Sequence, residues 1–485
     1  MPDNDTIAAP AYRVLNETQI AAIHAATLKI LRETGVRVAH PEGLELLRGA
    51  GCQIRGRDVA LIPGDLVEQC IASAPSSVVV YDQLGREAMR LEGRRNYFGL
   101  GTDLIQTQDL ETGRRRTSVL ADVANAAHVA NACPNIDFIA SFALASDVSA
   151  NLSYVASFKA QLENATKPIF FTAAGREDLA YIIAMAAAVA GGDEALASRP
   201  FLINYSEPTP PLTHSFGAVA KLLLCAEKGV PICYTPAAML GGSAPVTIAG
   251  GLVQTNAEAL SGIVMHQLKA AGAPIISGVA LPLLDMRTSC VSYGAPELRL
   301  ANSAFADLFH HYRLPMWSSA GSDAHILDAQ GAWENATGTL LAALDGANLI
   351  HDVAYLGQGL LGDPAAIVMC DEIVAYVKRV IQGFDTSADA LALDAIERAG
   401  QGGNYLTDEH TLRHFRSAVW QPSLINRANP DAWLAKGSVR YEERARRRAL
   451  AIMAQPRRER PAAGARLDAL MAEAEAELTR IAFVA

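Results

Sequence analysis

The chain has 485 residues, half of them hydrophobic and 19% charged, with 41 Lys and Arg against 51 Asp and Glu for a formal net charge of −10. This composition excludes disorder along the whole chain and argues against a dedicated nucleic-acid binder, which needs a basic face. The longest apolar run, residues 179–192, falls short of the ~18 residues that span a membrane, and the start MPDNDTIAAP lacks a basic and apolar leader.

Residues 16–34 read as the first helix, opened by NETQ, an N-cap followed by an acidic turn. Residues 1–95 as a whole read as a mixed α/β extension. From there the chain repeats one unit, a short β-branched or aromatic run and then an Ala/Leu-rich helical stretch. The runs begin near Tyr97 (YFGLGTD), Ile136 (IDFIASFAL), Pro168 (PIFFTAA), Phe201 (FLINYSE), Pro231 (PICYTPA), Pro274 (PIISGVAL), Pro315 (PMWSSAG) and Asn348 (NLIHDVAYL). Their spacing is that of a strand plus a crossover helix. Helices are expected between them, for example over 118–132 and 214–228, and the phrases KGVP, AGAP and YRLP stop a helix just before a strand.

Eight such units predict a closed (β/α)8 TIM barrel over residues 96–384. The rival, an open doubly wound sheet, lacks its GxGxxG after the first strand. Residues 385–485 read as a helical region. Its Arg-rich run, 440–466, is either a solvated helix face with a polar linker or a docking surface for an acidic partner. Seven scattered cysteines without a CxxC pair suit a reducing cytoplasm.

In a barrel the active site lies at the C-terminal ends of the strands. The polar and aromatic residues there are the candidates. Asp103 follows the first strand, Tyr205 and Glu207 the fourth, and Tyr234 the fifth. The loop with Gly242 and Ser243 comes next, with amides able to hold an anion. Arg287 follows the sixth strand; Trp317, Asp323 and His325 the seventh; His351 and Tyr355 the eighth. With no HExxH, CxxC or DxDxDG loop, no metal site is expected. No GxSxG elbow is present either. Rings (Tyr97, Tyr205, Tyr234, Trp317, Tyr355) mixed with acids (Asp103, Glu207, Asp323) suit a cage for a cationic amine, since ring faces and fixed negative charge both attract it. Each ring could equally be barrel core. Asp323, His325 and His351 are the candidates for catalytic roles. A lyase or hydrolase using Asp323 and His325 as acid and base is an alternative, and a non-catalytic amine-binding or assembly protein is another.

Several long segments resemble the trimethylamine methyltransferase family: GTDLIQTQDLETGRRR with PNIDF, NYSEPTPPLTHS, CAEKGVPICYTPAAMLGGSAPVTIAGGLVQTNAE, YGAPE, SDAHILDAQGAWE and GANLIHDVAYL. The resemblance implies a barrel that demethylates a methylated amine and passes the methyl group to a corrinoid (cobalamin) carried by a partner protein. Family members specific for trimethylamine carry pyrrolysine, and this chain has only the twenty ordinary residues. The resemblance therefore implies a quaternary, betaine-like amine before a tertiary one. A carboxylate tail on such a substrate would go to Arg287 or to the amides around Gly242 and Ser243. A homo-oligomer is also expected.

Overall fold

The computed structural model describes residues 6–480. Eight parallel strand positions close into a barrel: β1 (Tyr97–Leu100), β2 (the bridge residues Phe138 and Ile139), β3 (Ile169–Thr172), β4 (Leu202–Ser206), β5 (Ile232–Tyr234), β6 (Ile275–Gly278), β7 (Met316–Ser319) and β8 (Leu349–Val353). Seven of them pair in one sheet, β3-β4-β5-β6-β7-β8-β1, and the bridges Gly99–Phe138 and Ile139–Ile169 close the ring through β2. Every strand position falls within a run expected from the sequence.

The second run is reduced to two bridge residues. Here Phe98 N donates to the Asp137 carboxylate at 2.9 Å, so a side chain replaces a ladder partner. Asp137 is in turn held by Lys378 Nζ at 2.8 Å.

Each strand is followed by a covering helix: α1 (Leu120–Ala132), α2 (Ser153–Asn164), α3 (Arg176–Ala190), α4 (Phe216–Lys228), α5 (Ile248–Lys269), α6 (Pro296–Tyr312), α7 (Ala329–Leu344) and α8 (Pro364–Ile381). The apolar strands are buried from both sides, as a covered parallel sheet requires. Gly191 and Gly229 end α3 and α4 in the left-handed conformation, where glycine carries no Cβ penalty.

The N-terminal extension begins with the helix Glu17–Lys29, capped by a reciprocal Asn16–Gln19 box. A π-helical turn, Ile30–Thr34, completes the expected 16–34 segment. A small sheet follows, with strands Val36–Val38, Gln53–Arg55 and Val59–Leu61, and its edge strand Thr213–His214 comes from the β4–α4 loop. Residues before the barrel therefore do not build that sheet alone. The hairpin Val78–Tyr81/Glu87–Leu91 lies across the N-terminal mouth, where Tyr81 N donates to Pro200 O and Gln83 N to Thr166 O.

The C-terminal region is helical, and its last two helices, Tyr441–Met453 and Gly464–Leu478, pack on the outside of the barrel. Arg440, Arg447 and Arg466 stay exposed, paired with Glu442, Glu443 and Glu473, whereas other arginines of the run do something neither expectation named. Arg446 donates to Leu110 O, Arg457 to Ala124 O and Asn164, Arg458 to Gln83, and Arg460 to Glu163. They strap the region to its own barrel. No helix among the described residues is long and apolar enough to cross a membrane.

Candidate active site

Side chains alternate along a strand, so every second residue of the barrel strands points inward. This brings Phe170 of β3, Tyr205 of β4, Trp317 of β7 and His351 of β8 into one ring cluster. Ring centroids lie 4.5 Å apart for Phe170–His351, 5.2 Å for Phe170–Tyr205, 5.7 Å for Trp317–His351 and 5.9 Å for the stacked pair Tyr205–Trp317. Trp317 is 1% exposed and His351 2%. They form a floor. Tyr205 and Glu207 sit deep in the protein but keep partial solvent access, so they line a recess above that floor.

Three carboxylates surround the recess. Asp103, held at a φ of 60°, accepts from Ser141 Oγ at 3.0 Å and from Thr172 Oγ1 at 2.7 Å. Glu207 accepts from the Tyr205 hydroxyl through Oε1, while its Oε2 accepts no hydrogen bond among the described residues. Asp352 Oδ1 lies 2.8 Å from His351 Nδ1, but the angle is not that of a hydrogen bond, and both ring nitrogens lack a hydrogen-bond partner. The Trp317 Nε1 donor and the Ser319 hydroxyl are likewise unpartnered. Burial raises the Asp103 and Glu207 carboxyls above the usual range, because little water reaches their charge. It also lowers Lys221, whose Nζ donates to Ala173 O at 2.6 Å, and brings Arg299 down to about 10. Arg299 spends its donors on the Ser319, Tyr293 and Gly321 carbonyls. The recess is an acidic, ring-lined space that a cation would complete.

A lid-side ring joins from the β6–α6 loop. Tyr293 meets Tyr355 edge-to-face at 6.4 Å. The Tyr355 hydroxyl donates to Thr102 O, and its ring lies over Gly101, where a Cβ would overlap it at 1.8 Å; only glycine fits there. Tyr293 is positioned by Asp323, whose carboxylate accepts from Ser292 Oγ, Tyr293 N and Gly294 N at 2.5, 2.6 and 3.0 Å. Glu334 in turn accepts from Asp323 N at 2.8 Å.

Asp103, Tyr205, Glu207, Trp317, His351 and Tyr355 thus fall together, with Asp323 one residue removed. The other candidates do not. Tyr97 starts β1, at the opposite end of the barrel, and its hydroxyl accepts from Arg90 N at 3.0 Å. Tyr234 faces outward: it packs against Gly262 of α5 and pairs with His214 Nδ1 at 2.8 Å. Arg287 sits at a hairpin tip with its side chain 91% exposed, beside Asp285. Gly242 and Ser243 form a turn whose amides are internally used: Gly241 N donates to Ala244 O, and Gly242 N and Ala244 N to Met239 O. The Ser243 hydroxyl accepts from Met239 N. Three of the amides that would make an anion cradle are therefore taken by the turn itself. His325 is exposed on the β7–α7 loop and offers its carbonyl to Arg115, whereas Asp323 turns inward. They do not form an acid–base pair.

Sequence reasoning missed Tyr154, Thr172, Lys221 and Tyr293. Thr172 ends β3 and obeys the same strand-end rule. Tyr154 lies against Thr172 from α2, and Lys221 reaches Ala173 from α4; a scan of strand ends has no access to either. Among the described residues no group of three His, Cys, Asp or Glu side chains could hold a metal ion.

A family model described as trimethylamine methyltransferase matches residues 4–478. The trimethylamine methyltransferase of Desulfitobacterium hafniense (strain DSM 10664 / DCB-2) is 32% identical over 399 residues, covering 81% of this chain and 80% of its own. The glycine betaine methyltransferase of D. hafniense (strain Y51) is 30% identical over 471 residues, covering 96% and 97%. Among solved structures, the Methanosarcina barkeri monomethylamine methyltransferase superposes with a TM-score of 0.52 at 10% identity, covering 91% of this chain and 88% of that one, a likeness of fold.

Proposed function

Because the chain belongs to the trimethylamine methyltransferase family, and is a methyltransferase, we propose that its barrel mouth binds a quaternary methylammonium and presents one N-methyl group for transfer. The observation that carries this reading is the Tyr205–Glu207 pair. An accessible ring stacked on Trp317 adjoins a carboxylate with a free oxygen, in a space acidic on several sides.

The chemistry asks little of the protein in proton transfer. A quaternary nitrogen leaves as a neutral amine, keeping the C–N electron pair. A reduced corrinoid on a partner protein would supply the nucleophile that takes the methyl group. The residues here hold the cation, orient one methyl outward and exclude water. Ring contacts in a dry site contribute ~1–2 kcal/mol each. Charge leaves the nitrogen during transfer, so a tight acid grip would favour the ground state. Asp103 and Glu207, raised by burial and already sharing hydroxyl donors, hold more loosely than free carboxylates would. His351 lies in the floor and is read as shaping the recess.

The rim of the mouth fits a partner-borne acceptor. Ile105, Met239, Val246, Met286, Ile326 and Leu360 are exposed on the loops after β1, β5, β6, β7 and β8. A partner docking there would cover apolar surface and close the recess to water. Self-association is part of the same reading, supported by exposed Leu393, Leu412 and Leu434 of the C-terminal helices and by exposed Leu406 in the turn between two of them. So is a cytoplasmic location, supported by free thiols that are buried in six of seven cases.

The test is methyl transfer. The full chain is incubated with 13C-methyl quaternary amines and cob(I)alamin, and methylcobalamin and the demethylated amine are quantified. Formation of both in equal amounts is expected. Release of the amine without methylated acceptor, or no turnover of any quaternary amine, contradicts the reading.

A further inference from the structure

Within the methylammonium reading, we infer that the substrate carries no carboxylate: it is a quaternary ammonium whose other substituents are alkyl or hydroxyalkyl. In a short betaine the carboxylate is two bonds from the nitrogen. A cation held over Tyr205 therefore leaves its carboxylate inside the same recess. That recess is bounded by Asp103, Glu207 and Asp352, and the first two interact electrostatically with the floor residue His351. A substrate carboxylate would face like charge there, and among the described residues no Lys or Arg near the recess is free to offset it.

Among the described residues, the two basic side chains near the recess, Arg299 and Lys221, are already engaged. Arg299 gives its donors to three backbone carbonyls and is balanced by Asp352, Asp323 and Glu334. Lys221 is tied to Ala173 O and balanced by Asp178 and Glu207. Both His351 ring nitrogens lack a hydrogen-bond partner, but they are buried in the floor, with Nδ1 2.8 Å from Asp352. The Tyr205 hydroxyl is given to Glu207. Neither place expected to take a carboxylate tail offers a built cradle: the Arg287 side chain is 91% exposed beside Asp285, and the Gly241, Gly242 and Ala244 amides are spent on their own turn. The unpartnered Trp317 Nε1 donor and Ser319 hydroxyl are buried in the floor, and what the recess exposes is an acceptor. Glu207 Oε2 is unpartnered among the described residues and can accept the O–H of a hydroxyalkyl arm. Leaving a donor there satisfies it, whereas a carboxylate would set two acceptors against each other.

The experiment is isothermal titration of the full chain at neutral pH with tetramethylammonium, choline and glycine betaine. At least tenfold tighter binding of tetramethylammonium or choline than of glycine betaine is expected. Choline tighter than tetramethylammonium identifies the hydroxyalkyl arm as recognised; the reverse identifies the all-alkyl cation. Glycine betaine binding as tightly as either overturns the inference while leaving the methylammonium reading in place. Binding of none of the three overturns both.

Discussion

Tyr293 and Asp323 are joined across two barrel loops: the Tyr293 amide donates to Asp323 Oδ1 at 2.6 Å, and Ser292 and Gly294 donate to Oδ2. One carboxylate thereby fixes three consecutive residues, and with them the ring that faces Tyr355 above the recess. Asp323 is a positioning residue, and its effect on substrate passes through Tyr293.

Asp323→Ala should release that loop. Amine affinity is expected to fall about tenfold, roughly 1.4 kcal/mol. Tyr293→Leu should cost a similar factor, and the double variant should cost little more than either alone, because both act through one contact. Additive losses in a titration series would show that Asp323 acts independently of Tyr293.

Trp317 and Tyr205 should separate stability from binding. Trp317 is 1% exposed and stacked beneath Tyr205. Trp317→Leu should lower stability by a few kcal/mol, as truncation of buried aromatics does. Tyr205→Leu should instead weaken amine binding with a smaller change in melting temperature. Urea unfolding and calorimetric titration of both variants check this; a Trp317 variant with wild-type stability would place the ring in the substrate contact.

Tyr234→Phe removes the hydroxyl that pairs with His214 Nδ1 at 2.8 Å inside the β5–α5 layer. His214, held down at about 3 by burial, is neutral and keeps only Ser261 as partner. A loss of ~1–3 kcal/mol is expected for the buried group left unpaired. Amine affinity should be unchanged, and a change would move Tyr234 into the site.

Glu258 gives a pH signature. Burial raises its carboxyl from 4.5 to about 7, against the hydrogen bonds it accepts from Leu212 N and Gln254. A folded-state value above the unfolded one means the native state binds the extra proton. Its stabilisation is complete below about 4.5 and is lost as the pH rises through about 7. Glu258→Gln should remove that decline, a difference on the order of 3 kcal/mol between the ends of the window. Parallel pH–stability slopes for wild type and variant would contradict the assignment.

The barrel was legible because its strands are largely apolar and several helices stop at a Gly or shortly before a Pro, as at Gly229 before β5. The reduction of β2 was not, because a side chain, Asp137, takes the place of a backbone partner. At the candidate site, residue type and chain position located Tyr205, Glu207 and Asp103, but not the direction of each side chain. Tyr205 and Tyr234 both lie at strand ends. One points into the barrel and the other under α5, a difference of pleat that only the register of neighbouring strands decides. The turn at Gly242 was open for the same kind of reason: glycine there serves the chain's own hydrogen bonds. Tyr154 and Lys221 come from helices, where no local pattern marks a residue that reaches back over a strand end.

The central claim is that the recess recognises positive charge on a methylated nitrogen. The most direct measurement compares choline with 3,3-dimethylbutan-1-ol, which has the same shape with carbon in place of the charged nitrogen, by isothermal titration of the full chain. Rings and carboxylates acting on charge predict choline binding at least tenfold tighter, with the difference shrinking in Glu207→Gln. Equal affinities for the charged and neutral molecules would contradict the account.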